Sequence, residues 1–142
     1  MKKKILLVEE NKALSFLIET VLEKNYQTVS VADSNFAMQQ LMPGGHFDLV
    51  IISIDEVTSA NFQLLHHLST SSLLKKMPIV VLSNAQNIIL QQDCEAIGIA
   101  AFMRKPFDPQ LFAQRIDELT FVKPTTQITR KKINVFNLNF YL

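Results

Sequence analysis

Acidic, hydroxyl-bearing and basic residues follow four short apolar segments of the sequence. Glu9 and Glu10 come after the first segment, Ser53 after the second, Ser83 after the third, and Lys105 shortly after the fourth. A lysine beside carboxylates neutralises their charge, and a serine hydroxyl can act as a nucleophile when a general base lies next to it. These residue types therefore allow ion pairing between lysine and the carboxylates, or nucleophilic attack by serine where a general base lies next to it.

The apolar segments themselves are predicted to be strands. Each has four residues without polar alternation, which is typical of strands buried on both faces of a parallel sheet. A fifth segment is rich in residues that favour extended backbone. The predicted strands are Ile5–Val8, Gln27–Val31, Leu49–Ile52, Ile79–Leu82 and Ala100–Met103.

Helical patterns separate these strands. Asn11 is predicted to cap the start of the first helix, and Pro43-Gly44-Gly45 is predicted to stop the second. Gly98 is predicted to end the fourth helix. Asp108-Pro109 predicts the start of the fifth helix, with a capping aspartate followed by proline in the first turn. The residues whose spacing predicts the helices, with their apolar members expected on the buried side, are Leu14, Leu17, Ile18, Val21 and Leu22; Phe36, Ala37, Gln40 and Leu41; Phe62, Leu65 and Leu68; Ile89, Leu90, Cys94 and Ile97; and Leu111, Phe112, Ile116 and Leu119.

Strand and helix alternate five times, which predicts an α/β fold with one parallel sheet covered on both faces. Binding sites in such folds lie beyond the carboxyl ends of the strands. The polar residues above are therefore expected to meet at one edge. Residues 1–120 are predicted to form this domain, and residues 121–142 lie outside the pattern.

Composition narrows the class of protein. The chain has 142 residues, 48% hydrophobic, and one cysteine, so we expect one folded domain without an internal disulfide. No apolar run is long enough for a signal peptide core or a membrane span, and the expected location is the cytoplasm. Residues 1–120 carry 10 basic and 13 acidic side chains, a net charge of −3, which argues against a nucleic-acid partner for the domain.

Four segments in this order resemble the receiver domain of two-component response regulators. They are Lys4–Asn11, Phe47–Ile52, Met77–Ser83 and Gly98–Phe107. The resemblance implies a flavodoxin-like sheet of strand order 2-1-3-4-5. It also implies that Glu9 and Glu10 take the positions of the Mg²⁺-binding acids and that Ser53 takes the position of the phosphoacceptor. Ser83 and Lys105 take the positions of the phosphoryl-binding residues. Phe102 takes the position of the aromatic switch residue, and Pro106 takes the position of a cis-proline.

The acceptor position departs from the family, because it holds Ser53 in place of aspartate. Neither Lys105 nor Ser83 is an obvious base for that hydroxyl, and the three histidines are predicted to lie elsewhere. Glu10 adds a methylene that Mg²⁺ tolerates poorly. Asp55 is either a substitute carboxylate or part of a surface turn. We expect no resident metal or cofactor, weak Mg²⁺ binding at most, and Lys105 neutralising the glutamates.

The resemblance and the departure together predict a non-enzymatic, receiver-like signalling module that acts through protein contact without phosphorylation. Its expected partner is a histidine kinase or an output protein. The alternatives are a working acceptor that uses Ser53 or Asp55 with Mg²⁺, and a flavodoxin-like small-ligand binder. A homodimer could form through the face of the fourth helix, fifth strand and fifth helix, or through the basic and apolar tail, residues 121–142. Phe136, Leu138, Phe140 and Leu142 alternate there with polar residues in a strand-like pattern. The tail is predicted either to add a strand to this or another chain, or to be disordered.

Overall fold

The computed structural model describes residues 2–42, 45–71, 77–84 and 86–121. Five strands and five helices alternate along the chain. They are β1 (Lys3–Val8), α1 (Lys12–Leu22), β2 (Tyr26–Val31), α2 (Ser34–Leu41), β3 (Leu49–Ser53), α3 (Ala60–Thr70), β4 (Ile79–Ser83), α4 (Ile88–Ile97), β5 (Ala101–Arg104) and α5 (Pro109–Phe121).

The strands form one parallel sheet in the order β2-β1-β3-β4-β5. The predicted strand order and fold class are therefore confirmed. The register places Val8 opposite Ile52, and Ser83 opposite Arg104, so the carboxyl ends of these strands lie at the same edge. This edge is where the predicted polar residues are found.

Capping side chains start the helices at the edge of the sheet. The Asn11 side chain accepts a hydrogen bond from the backbone N–H of Leu14 at 2.9 Å, as the sequence predicts for α1. Asp108 accepts the N–H groups of the first turn of α5 in the same way. The remaining helices begin after the N-caps Asp33, Ser59 and Asn87. Each cap satisfies donors that would otherwise lack a partner, and so it fixes where its helix begins.

The helices cover the sheet with two separate apolar layers. One layer packs α2, α3 and α4 against one face, and it includes Phe102 and the buried thiol Cys94. The other packs α1 and α5 against the opposite face around Ile18 and Phe112. The prediction that Cys94 belongs to the core is confirmed, since the residue is completely buried.

Four residues predicted on buried helix faces are exposed instead. Each directly precedes a buried residue in the sequence, and successive helical residues are rotated by about 100° around the axis. Only one member of such an apolar pair can therefore face the sheet. The exposed residues are Leu17 (40%), Phe36 (51%), Ile89 (66%) and Leu111 (40%).

Two positions after helices require glycine, each for a different reason. Gly98 closes α4 with φ 103°, a left-handed conformation that side chains other than that of glycine rarely adopt. At Gly45 a Cβ atom would lie 2.1 Å from the backbone oxygen of Gln40, so the chain after α2 requires glycine there. Pro43 and Gly44, the other residues of the predicted stop, lie outside the described residues.

The tail predicted over residues 121–142 also lies outside the described residues, apart from Phe121 at the end of α5. In the described ranges, no helix combines the length and the apolar character that crossing a membrane requires.

Candidate functional site

A cavity of about 340 Å³ opens at the carboxyl edge of the sheet. Its walls come from the ends of β1, β2 and β3 and from the start of α3. Five carboxylates line it, together with two serine hydroxyls and one amide. The lining residues are Glu9, Glu10, Ala32, Asp33, Ser53, Asp55, Glu56, Ser59, Ala60 and Asn61.

Glu9 lies at the centre of the polar contacts. Its side chain is 3% exposed, and its Oε1 accepts hydrogen bonds from the Ser53 hydroxyl and from Lys105 Nζ, the latter at 3.3 Å. Its Oε2 accepts the backbone N–H of Asn11 at 3.0 Å. Because a buried carboxylate is costly without partners, these three donors account for its position.

Ser53 ends β3 beside this carboxylate. Its hydroxyl donates to Glu9, and its carbonyl oxygen accepts a hydrogen bond from the Asn61 side chain at 2.8 Å. The structure thus corrects one point of the sequence reasoning, which found no base for Ser53. The same oxygen of Glu9 also accepts a hydrogen bond from Lys105 Nζ.

Asp55 and Ser83 meet in a second group of contacts. Asp55 is exposed in the loop after β3, and its Oδ1 accepts the backbone N–H of Asn84 at 2.9 Å and the Ser83 hydroxyl at 3.3 Å. Ser83 is fully buried at the end of β4. Asp55 therefore lies in the exposed loop after β3, and it makes a specific contact with the end of the neighbouring strand β4.

The other predicted site residues lie around these two groups. Glu10 is exposed at the cavity wall. Phe102 is buried in the core, and its ring centroid lies 5.7 Å from the guanidinium carbon of Arg104. The peptide bond between Lys105 and Pro106 is cis, as the resemblance implies.

The carboxylates of Glu9 and Asp55 are not arranged around a divalent cation. Glu9 directs both of its oxygens at donors of the chain itself, and Asp55 directs Oδ1 at the end of β4. Within the described ranges, no three acidic, histidine or cysteine side chains are placed to hold a metal ion together. Mg²⁺ prefers octahedral oxygen coordination, and binding it here would require Glu9 to leave its partners.

Two asparagines also belong to the site. Asn84 follows a predicted strand directly, so the sequence places it with Ser83 at this edge, and its backbone N–H donates to Asp55. Asn61, whose side chain donates to the carbonyl oxygen at the end of β3, was missed by the sequence reasoning. Asn61 has no comparable signal, because its contact depends on how α3 begins.

A comparison with families of known proteins identifies the family to which the chain belongs. Residues 5–117 match the response regulator receiver domain. The chain belongs to this family. It is thus a receiver-domain signalling module of the two-component class.

Individual relatives are similar only in part. The chain is 28% identical over 105 residues to the two-component response regulator-like protein APRR9 of Arabidopsis thaliana, which covers 72% of this chain and 22% of the plant protein. The chain therefore spans less than a quarter of that relative.

Among solved structures, the phosphorylated cyanobacterial phytochrome response regulator RcpA is 25% identical with a TM-score of 0.73, over 88% of this chain and 98% of that one. The chemotaxis response regulator CheY4 of Vibrio cholerae is 20% identical with a TM-score of 0.74, over 84% and 99% of the two chains.

Proposed function

We propose that this receiver domain signals without being phosphorylated, by direct contact with a protein partner. The observation that carries the proposal is the position of Ser53. A serine stands where the family has its acceptor aspartate, and its hydroxyl is bonded to a carboxylate that Lys105 already neutralises. Aspartate is ionised at neutral pH and attacks directly, whereas serine needs an available base.

The metal chemistry of the family is also proposed to be lost. Phosphoryl transfer to receivers depends on Mg²⁺, and both oxygens of Glu9, the first of the two Mg²⁺-position acids, are engaged with donors of the chain. Mg²⁺ binding is therefore expected to be weaker than millimolar. Ser53→Asp adds a third carboxylate and should strengthen binding, although Glu10 still carries its extra methylene.

The proposed partner is a protein of the same signalling class, either a histidine kinase or an output protein. The proposed contact surface is the face of α4, β5 and α5. Ile88, Ile89 and Leu111 lie on these two helices with exposed fractions of 64%, 66% and 40%. Exposed apolar side chains of this size are available for contact with a protein partner. Self-association through this face is the proposed alternative to a separate partner.

An NMR titration tests whether the domain is fixed in one state. The amide spectrum is recorded before and after addition of Mg²⁺ and beryllofluoride, an analogue of the phosphoryl group on aspartate. We expect no shifts in α4, β5 and α5 beyond those that salt alone produces. The Ser53→Asp variant is the matched control, because it restores the acceptor, and it should respond. Saturable shifts at this face in the unaltered protein would reject the proposal.

A further inference from the structure

A polar contact links the loop after β3 to the end of β4. The Asp55 Oδ1 atom accepts both the Asn84 backbone N–H at 2.9 Å and the Ser83 hydroxyl at 3.3 Å. The contact is not needed to join the strands, because β3 and β4 already pair from Val50 to Ser53. Its effect is instead on the segment that leads out of β4.

We propose that Asp55 is a built-in anion that holds Ser83 and Asn84, at the carboxyl end of β4, in one conformation. A hydroxyl and an adjacent backbone N–H form a donor pair that suits an oxyanion, and hydrogen bonds to an ionised acceptor are stronger than neutral ones. Here the oxyanion is a carboxylate of the same chain. This inference rests on the proposed function, and it names what sets the state of the domain when no phosphoryl group is added.

The start of α4 lies shortly after this contact in the sequence. The side chain of Asn87 caps the helix by accepting hydrogen bonds from the N–H groups of Ile89 and Leu90. Ile88 and Ile89 follow directly, and both are largely exposed. Because Asn84 and the cap Asn87 are only three positions apart, a fixed Asn84 is expected to limit where these two apolar side chains of the proposed contact surface can lie.

Hydrogen exchange at the Asn84 amide tests this directly. We expect Asp55→Ala to speed exchange there about tenfold, equivalent to ~1.4 kcal/mol, and to shift the amide resonances of residues 84–90. Asp55→Asn keeps an oxygen acceptor without the charge and should give an intermediate effect. Ser83→Ala removes one of the two donors and should leave the Asn84 contact in place.

The matched control is Glu56→Gln. Glu56 is the next residue in the same exposed loop, and its carboxylate contacts the hydroxyl of Thr58 rather than the end of β4. This variant loses the same charge and should leave Asn84 unchanged. Thermal melting of every variant checks that the domain is folded, and equal exchange at Asn84 in Asp55→Ala and Glu56→Gln would overturn the inference.

The same samples separate this inference from the proposed function. Faster exchange in Asp55→Ala supports the contact, even if the unaltered protein turns out to accept phosphate, in which case only the proposed function fails. Unchanged exchange in Asp55→Ala, with no phosphate on the unaltered protein, rejects the contact and leaves the proposed function standing.

Discussion

Replacing Lys105 with methionine tests whether this lysine neutralises Glu9. Methionine keeps most of the length and apolar stem of lysine and removes the charge. The substitution leaves the Glu9 carboxylate, whose side chain is 3% exposed, without a cation. Two hydrogen bonds remain, from the Ser53 hydroxyl and the Asn11 backbone.

The cost follows from the geometry. At the observed 3.3 Å, Coulomb attraction between unit charges is roughly 5 kcal/mol at an effective dielectric of about 20 and roughly 1.3 kcal/mol in bulk water. Lys105 is 17% exposed, so part of this attraction is screened. Removing one partner of a buried pair typically costs ~3–5 kcal/mol. We expect Lys105→Met to lower the free energy of unfolding by about 3 kcal/mol, at the lower end of this range, because Glu9 keeps its other two donors.

Urea unfolding measures this loss as a lower midpoint at an unchanged slope. Glu9→Gln supplies the control, because a neutral amide needs no cation. In that background Lys105→Met should cost less than about 1 kcal/mol, which gives a coupling energy of about 2 kcal/mol in the double-mutant cycle. An equal cost in both backgrounds would refute the ion pair as the reason for this lysine.

Three further predictions concern other parts of the domain. Burial, followed by the hydrogen bond to Asp117, raises the pKa of Tyr26, so above the ordinary pKa of 10.0 the folded state keeps a proton that the unfolded state releases. The free energy of unfolding should therefore be steady below pH 10.0 and fall above it. Tyr26→Phe should weaken this fall and lower the free energy of unfolding in urea by about 1–2 kcal/mol. An undiminished alkaline fall in Tyr26→Phe would contradict this assignment. Gly98→Ala should lower the free energy of unfolding by about 1–2 kcal/mol through backbone strain alone, because nothing lies within 4 Å of the added Cβ. A urea midpoint equal to that of the unaltered protein would refute the strain. Burial, followed by two neighbouring carboxylates, raises the pKa of the Cys94 thiol to about 11. A thiol reagent should therefore react at least about a hundredfold more slowly with the folded protein than with the urea-unfolded protein. Equal rates would show that the thiol is accessible.

The sheet and its polar edge could be predicted because their signals are local. The apolar segment Ile5–Val8 and the carboxylate that follows it are adjacent in sequence, and the same holds for Ile79–Leu82 and Ser83. Parallel pairing then brings the strand ends together whatever the details of the loops. Capping residues such as Asn11 are equally local, and this one was predicted at the position where it is found.

Two kinds of feature could not be predicted from the sequence. The exposed member of each apolar helix pair, such as Phe36 beside the buried Ala37, depends on how the helix is rotated against the sheet. The hydrogen bond that Glu9 accepts from the Ser53 hydroxyl, 44 residues away, depends on the rotamers of both side chains. Spacing along the chain carries no information on either point, whereas the pairing of Lys105 with Glu9 was expected from their opposite charges at the same edge of the sheet.

Intact-mass spectrometry after incubation with a small-molecule phosphodonor and Mg²⁺ tests the central claim most directly. The account predicts no added phosphate on the unaltered protein at any time point, and partial phosphorylation of Ser53→Asp under the same conditions. A stable, stoichiometric phosphate on the unaltered protein, located at Ser53 or Asp55 by peptide mapping, would contradict it.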